Sequence, residues 1–106
     1  MAEDFLDTLE AVIRARRGAD AATSYVAKLF SQGRAKIAQK VGEEATETVI
    51  AAIGDDKAAL TGEAADLIFH LLVLLADADV SLEDVRAELR RREGVSGIDE
   101  KAARPS

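Results

Sequence analysis

The sequence predicts an all-α bundle of four to five helices in a single domain spanning residues 1–106. Three observations carry this. Helix formers dominate, and no run alternates apolar and polar residues between turn signals as a half-buried strand would. Capping residues and glycines punctuate the chain at helical intervals. Two long helical patterns are separated by only a few residues around Gly54 to Asp56, which makes them an antiparallel central hairpin.

The elements follow in order. Asp4 caps a first helix over about 4–17, where Phe5, Leu6, Leu9, Val12 and Ile13 share a face and Gly18 ends it. Ser24 caps a short second helix carrying Tyr25, Val26, Leu29 and Phe30, closed by Gly33. A third helix runs over 34–53, with Ile37, Val41, Ala45, Val49 and Ile53 at i, i+4 intervals and Gly54 at its end. Gly42 lies inside it at a cost of roughly 1 kcal/mol relative to Ala, which predicts close backbone packing or a local irregularity. Asp55 or Asp56 caps a fourth helix over about 57–77, apolar almost all round in its second half and therefore central to the core. "SLED", Ser81 to Asp84, is a capping box with Asp in place of Glu, and opens a fifth helix carrying Leu82, Val85 and Leu89. The tail, about 94–106, has two glycines, a late proline and no apolar period, and reads as a flexible terminus.

Composition narrows the function. The absence of Cys excludes a disulfide framework and any thiolate metal or redox site, and fits a cytoplasmic protein. The acidic start "MAEDFLDTLE" is unlike a signal peptide. The apolar run "LIFHLLVLLA", Leu67 to Ala76, is shorter than the ~20 residues a bilayer requires. A net charge of −6 argues against nonspecific binding to nucleic acid or to an anionic membrane and points towards cations.

The acids carry the chemistry. "KVGEEATETVIAA", Lys40 to Ala52, crowds Glu43, Glu44 and Glu47 onto the third helix. About Asp55 as the hairpin midpoint, Glu47 and Glu63 stand eight residues either side, and Glu44 and Asp66 eleven. Within each helix the i, i+3 spacing separates the two acids by about 60°, so each pair shares a face. The alternative for the first trio is a solvated face opposite a Val41, Ala45, Thr48, Ala52 stripe; Glu63 and Asp66, on a helix with little room for solvent, weigh against it. Four converging carboxylates repel one another unless a cation lies between them. Lys40 offsets part of that charge, and an all-oxygen shell suits Mg²⁺, with Mn²⁺ as a substitute. His70, one turn beyond Asp66, reads first as a hydrogen-bonded core residue and second as a ligand or base; Asp77 reads as a helix-end residue. Gly33, Gly42 and Gly62 form no phosphate-binding loop.

"EEATE", Glu43 to Glu47, and "EAAD", Glu63 to Asp66, resemble the EExxE…ExxD signature of the all-α nucleoside triphosphate pyrophosphohydrolases, the MazG-like superfamily. The stretches "SYVAKLFSQGRAKIAQKVGEEATETVIAA", "EAADLIFHLLVLLADADVSLEDVRAELRRR" and "GVSGIDEKAAR" extend the likeness, from about Leu6 to Arg104, to the phosphoribosyl-ATP pyrophosphatase family of histidine biosynthesis. The resemblance implies Mg²⁺-dependent hydrolysis of the α–β phosphoanhydride of phosphoribosyl-ATP by a homodimer. It implies Glu44, Glu47, Glu63 and Asp66 as metal ligands and Glu43, Glu44 and Glu47 as catalytic acids, with the role of Glu43 open. Arg34, Lys36 and Lys40, just before the acids, are candidates for the substrate's phosphates, and the family-like tail adds Lys101 and Arg104. The acidic motif alone equally supports a house-cleaning (d)NTP pyrophosphohydrolase, and a non-catalytic helical dimerisation module with solvated acids is the alternative from another class.

Overall fold

The structure, a computed structural model, describes residues 4–94, so Lys101, Arg104 and nearly all of the tail lie outside the described residues. It contains α1 (Phe5–Ala15), α2 (Tyr25–Gln32), α3 (Arg34–Ile53), α4 (Lys57–Asp77) and α5 (Leu82–Arg91), with no strand among the described residues. The caps are those the sequence indicates. Asp4 accepts the Leu6 amide at 3.1 Å, Ser24 the Ala27 amide at 3.2 Å and Asp56 the Ala59 amide at 3.0 Å. Ser81 and Asp84 exchange both bonds of a capping box at 3.0 Å each. Of the two aspartates at the hairpin, Asp56 caps and Asp55 makes the turn in the left-handed region (φ 56°).

α1 ends at Ala15, short of the expected 17, the chain tightening through Arg16 and Arg17 before Gly18 turns it in the left-handed region (φ 84°), and Arg17 caps another helix. Its guanidinium donates to the Ala76 carbonyl at 3.0 Å, to the Asp77 carbonyl at 3.4 Å and to Asp79 at 3.0 Å, satisfying the carbonyls that end α4. Arg14 donates to the Val80 carbonyl at 3.0 Å, and Glu10 accepts the Leu82 amide at 2.7 Å. Arg86 of α5 pairs with Asp4 and Asp7 at 2.8 and 2.7 Å. α1 thus acts as a polar clamp on the α4–α5 junction.

The buried core is Ile13, Leu29, Ile37, Leu72, Val73 and Ala76, with Leu6, Leu9, Val26, Phe30, Phe69, Leu74 and Leu82 packed around it. It gathers where α1 and α2 cross the second half of α4 and the start of α3. Two expectations for α3 need correction. Val49 and Ile53 do not continue the Ile37 stripe: they are 56% and 81% exposed. Residues at i, i+4 advance 400° rather than 360°, so each step drifts about 40°, and by Ile53 the row has turned to the opposite face. Nor does Gly42 mark a close approach or an irregularity. α3 is continuous through it, and nothing lies within 4 Å of where a Cβ would stand.

α4 is long and apolar enough, by length and composition alone, to cross a membrane. The sequence reading, confined to ten apolar residues, excluded that on length. What distinguishes α4 from a lipid-facing span is its packing along α3, α1 and α2 and the acids on its first half.

Candidate active site

The three residues 54–56 fold α3 back on α4, and the mirror positions about Asp55 come level as the spacing requires. Glu44, Glu63 and Asp66 each place a carboxylate oxygen within 4.8 Å of the other two. Glu44 lies on the same side of α3 as buried Ile37 and half-buried Val41 and Thr48, so the core face of α3 continues into the acid face. The solvated-face reading fails for Glu44, which is half-buried, as is Glu63; Asp66 is exposed. Glu47, exposed, is not one of these three, but it lies near enough for its charge to act on both Glu44 and Glu63.

Glu44 Oε2 and Glu63 Oε2 are buried with no hydrogen-bond partner. Burial first, and then the shared contact and charge of Glu47, push both carboxyls above the usual carboxylate range. Two half-buried acids that share no donor and face two more acids are an unfavourable arrangement for a protein left to itself. Their unpaired oxygens form an all-oxygen donor set able to hold a hard divalent cation.

Glu43 is outside this group. It accepts Gln39 Nε2 at 2.8 Å and pairs with Lys40 Nζ at 3.6 Å. The Gln39 hydrogen bond, followed by the Lys40 and Lys36 charges, holds its carboxyl below the usual range. Lys40 is thereby engaged with Glu43, and Lys36 is exposed one turn earlier. Arg34 is not brought to the acids. Its Nε pairs with Asp77 Oδ2 at 2.9 Å and its Nη2 donates to the Asp77 carbonyl at 3.0 Å, ten residues or about 15 Å along α3 from Glu44.

His70 is 5% exposed, and both ring nitrogens are engaged. Nδ1 stands 2.7 Å from the Asp66 carbonyl oxygen, which can only accept, so the neutral ring carries its proton there. Nε2 then accepts the Tyr25 hydroxyl at 2.8 Å. Neither nitrogen is left for a metal, in agreement with the core reading of this residue. Tyr25 was not among the candidate site residues; a buried His on an apolar helix requires polar partners, and that requirement is the signal that points to a hydroxyl nearby. Two concavities lie elsewhere: an apolar groove of about 320 Å³ beside Val80, Val85 and Leu89, and a polar one of about 350 Å³ beside Arg17, Phe30 and Asp77. Neither includes an acid of the group.

The chain as a whole is similar to known proteins. The family model described as phosphoribosyl-ATP pyrophosphohydrolase matches residues 6–93. Among curated relatives, the phosphoribosyl-ATP pyrophosphatase of Rhizorhabdus wittichii is 67% identical over 100 residues, covering 94% of each chain. That of Zymomonas mobilis subsp. mobilis is 64% identical over 105 residues, covering 99% of this chain and 98% of the relative. That of Azospirillum brasilense is 59% identical over 111 residues, covering both chains completely.

Proposed function

Since this chain belongs to the phosphoribosyl-ATP pyrophosphohydrolase family, we propose that the acid face between α3 and α4 is where it works on its substrate. The protein is a hydrolase of histidine biosynthesis: it cleaves phosphoribosyl-ATP to phosphoribosyl-AMP and pyrophosphate. Water adds to phosphorus as the α–β anhydride bond breaks, and pyrophosphate leaves. The observation that carries the site assignment is the pair of buried, unpartnered oxygens on Glu44 and Glu63, level with Asp66 across the hairpin.

Glu44, Glu47, Glu63 and Asp66 are the residues that would hold Mg²⁺, or Mn²⁺ in its place. When bound, such a cation supplies charge neutralisation at the phosphates and lowers the pKa of a coordinated water. The chain's own contributions are separate. Half-buried Glu44 and Glu63 set the depth of the site, while exposed Asp66 and Glu47 border its open side. Glu43, Lys40 and Lys36 form a charged rim along α3; the two lysines are the cations offered to the substrate's phosphates, and Glu43 orients Lys40. Arg34 has a structural role at the end of α4. Lys101 and Arg104 retain a substrate role on the resemblance of the tail alone.

A homodimer is the proposed working form. Val49, Ile50 and Ile53 of α3 and Ile68 and Leu71 of α4 are exposed, between 40% and 81%, on the outer faces of the hairpin. An isologous contact is the commonest way to cover such faces. The cytoplasm is the proposed location, supported by the cysteine-free composition. The (d)NTP reading shares the acid group but does not account for a family match that spans residues 6–93.

The test is pyrophosphate release from phosphoribosyl-ATP, ATP and a dNTP, with Mg²⁺ and with EDTA, for wild type and Glu63→Gln. Rapid, Mg²⁺-dependent turnover of phosphoribosyl-ATP that Glu63→Gln abolishes is the expected result. Undiminished turnover by Glu63→Gln would remove the acid face from the reaction.

A further inference from the structure

Asp66 differs from Glu44 and Glu63 in how it is held. Glu44 and Glu63 are half-buried, so packing limits their side chains, whereas Asp66 is exposed. An aspartate has only two side-chain torsions, and the position of its carboxylate follows its own backbone closely. That backbone is gripped from an unexpected direction. The Asp66 carbonyl receives His70 Nδ1–H at 2.7 Å, and His70 Nε2 accepts the Tyr25 hydroxyl at 2.8 Å. The imidazole is wedged in place, edge-on to Phe69 at 5.3 Å and to Tyr25 at 5.9 Å, while Tyr25 stacks on Phe69 at 6.2 Å. Tyr25 opens α2, whose Ala27 and Leu29 are buried in the core.

We propose that His70 and Tyr25 are positioning residues for Asp66, forming a proton-ordered chain from α2 to the α4 backbone that sets where this carboxylate stands against Glu44 and Glu63. Tyr25 donates, and so keeps the His70 proton on Nδ1; His70 donates in turn, and so holds the backbone of an acid that, unlike Glu44 and Glu63, packing leaves free. The inference rests on the reading of the acids as a divalent-cation site. Partners of this outer kind, when removed, cost about 10- to 100-fold in metal affinity.

Two substitutions separate the chain's halves. In His70→Asn the side-chain amide nitrogen occupies the position of Nδ1 and still reaches the Asp66 carbonyl; in His70→Gln the amide occupies the position of Nε2 and reaches Tyr25 instead. The measurement is Mn²⁺ affinity by electron paramagnetic resonance, with thermal unfolding alongside. His70→Gln is expected to bind Mn²⁺ about tenfold more weakly, and His70→Asn to stay within about twofold of wild type, although both lose packing and melt earlier. Equal weakening in the two, or none in either, would reduce His70 to a packing residue and overturn the proposal. Should both fail to fold, Tyr25→Phe decides. It is expected to convert the single Nδ1–H form, read by ¹⁵N NMR of the His70 ring, into a tautomer mixture and to weaken Mn²⁺; unchanged tautomer and affinity overturn the proposal. Wild type binding Mn²⁺ no better than Glu63→Gln would overturn the cation reading and this inference together, whereas normal wild-type binding with an unaffected His70→Gln overturns the inference alone.

Discussion

Glu44 on α3 and Glu63 on α4 meet across the hairpin, each with one carboxylate oxygen buried and without a partner. Neither would be chosen for stability. Residues that oppose the fold they belong to mark a place where binding, rather than packing, determines the residue type.

The cost should be measurable in the cation-free protein. Glu44→Gln and Glu63→Gln are each expected to raise the melting temperature in EDTA at pH 7 and to abolish the rise that Mg²⁺ produces in wild type. Activity should fall on the order of 100-fold or more. Calorimetry with and without Mg²⁺ checks both; a lower melting temperature in EDTA would show that the carboxylates stabilise the fold.

The same pair predicts a pH dependence with a definite sign. Their folded-state pKa values lie above the ordinary 4.5, chiefly through burial, so the folded state binds their protons more tightly than the unfolded state does. Their contribution to stability is fully present below pH 4.5 and is lost as pH rises through the raised values. In EDTA, the melting-temperature advantage of Glu63→Gln over wild type should therefore widen from pH 4 towards neutrality, and Mg²⁺ should close it.

Glu88 should behave in the opposite way. Its hydrogen bonds to Arg91 and then Arg92 depress its pKa to about 2. Its contribution is present above pH 4.5 and is lost as pH falls towards 2. Glu88→Gln is expected to lower the melting temperature slightly at pH 7, with the difference vanishing in acid and shrinking in high salt.

Two isoleucines of α3 test the corrected face. Ile37 is fully buried, so Ile37→Ala should cost about 2–5 kcal/mol in urea unfolding. Ile53 lies on the outer face, where Ile53→Glu should leave helical content intact but shift the protein from dimer to monomer in analytical ultracentrifugation. A monomeric wild type would instead leave that apolar face without the proposed partner.

The legible part of this protein was local. Caps such as Asp4, Ser24, Asp56 and Ser81 act within four residues, so the helices could be read almost to their ends. The meeting of Glu44 with Glu63 and Asp66 was also legible, because a short turn converts sequence distance into spatial register. What could not be read depended on rotation and on distant partners. The i, i+4 row ending in Ile53 looked continuous until its drift was followed round the helix. Arg34 stood close in sequence to the acids, yet Asp77, 43 positions away, claims it. Tyr25 and His70 are 45 positions apart, and no spacing rule links them.

The turn at Gly54 to Asp56 touches none of the acids, yet it sets their alignment. Surface loops ordinarily absorb insertions at small energetic cost. Here one added residue, if taken into α4, would slide it by about 1.5 Å and rotate it by about 100°, carrying Glu63 and Asp66 away from Glu44 and turning Leu72, Val73 and Ala76 out of the core. The length of this loop thus ties the acids and the core to one register, and a destabilised, inactive protein is the expected product of a single-codon insertion there.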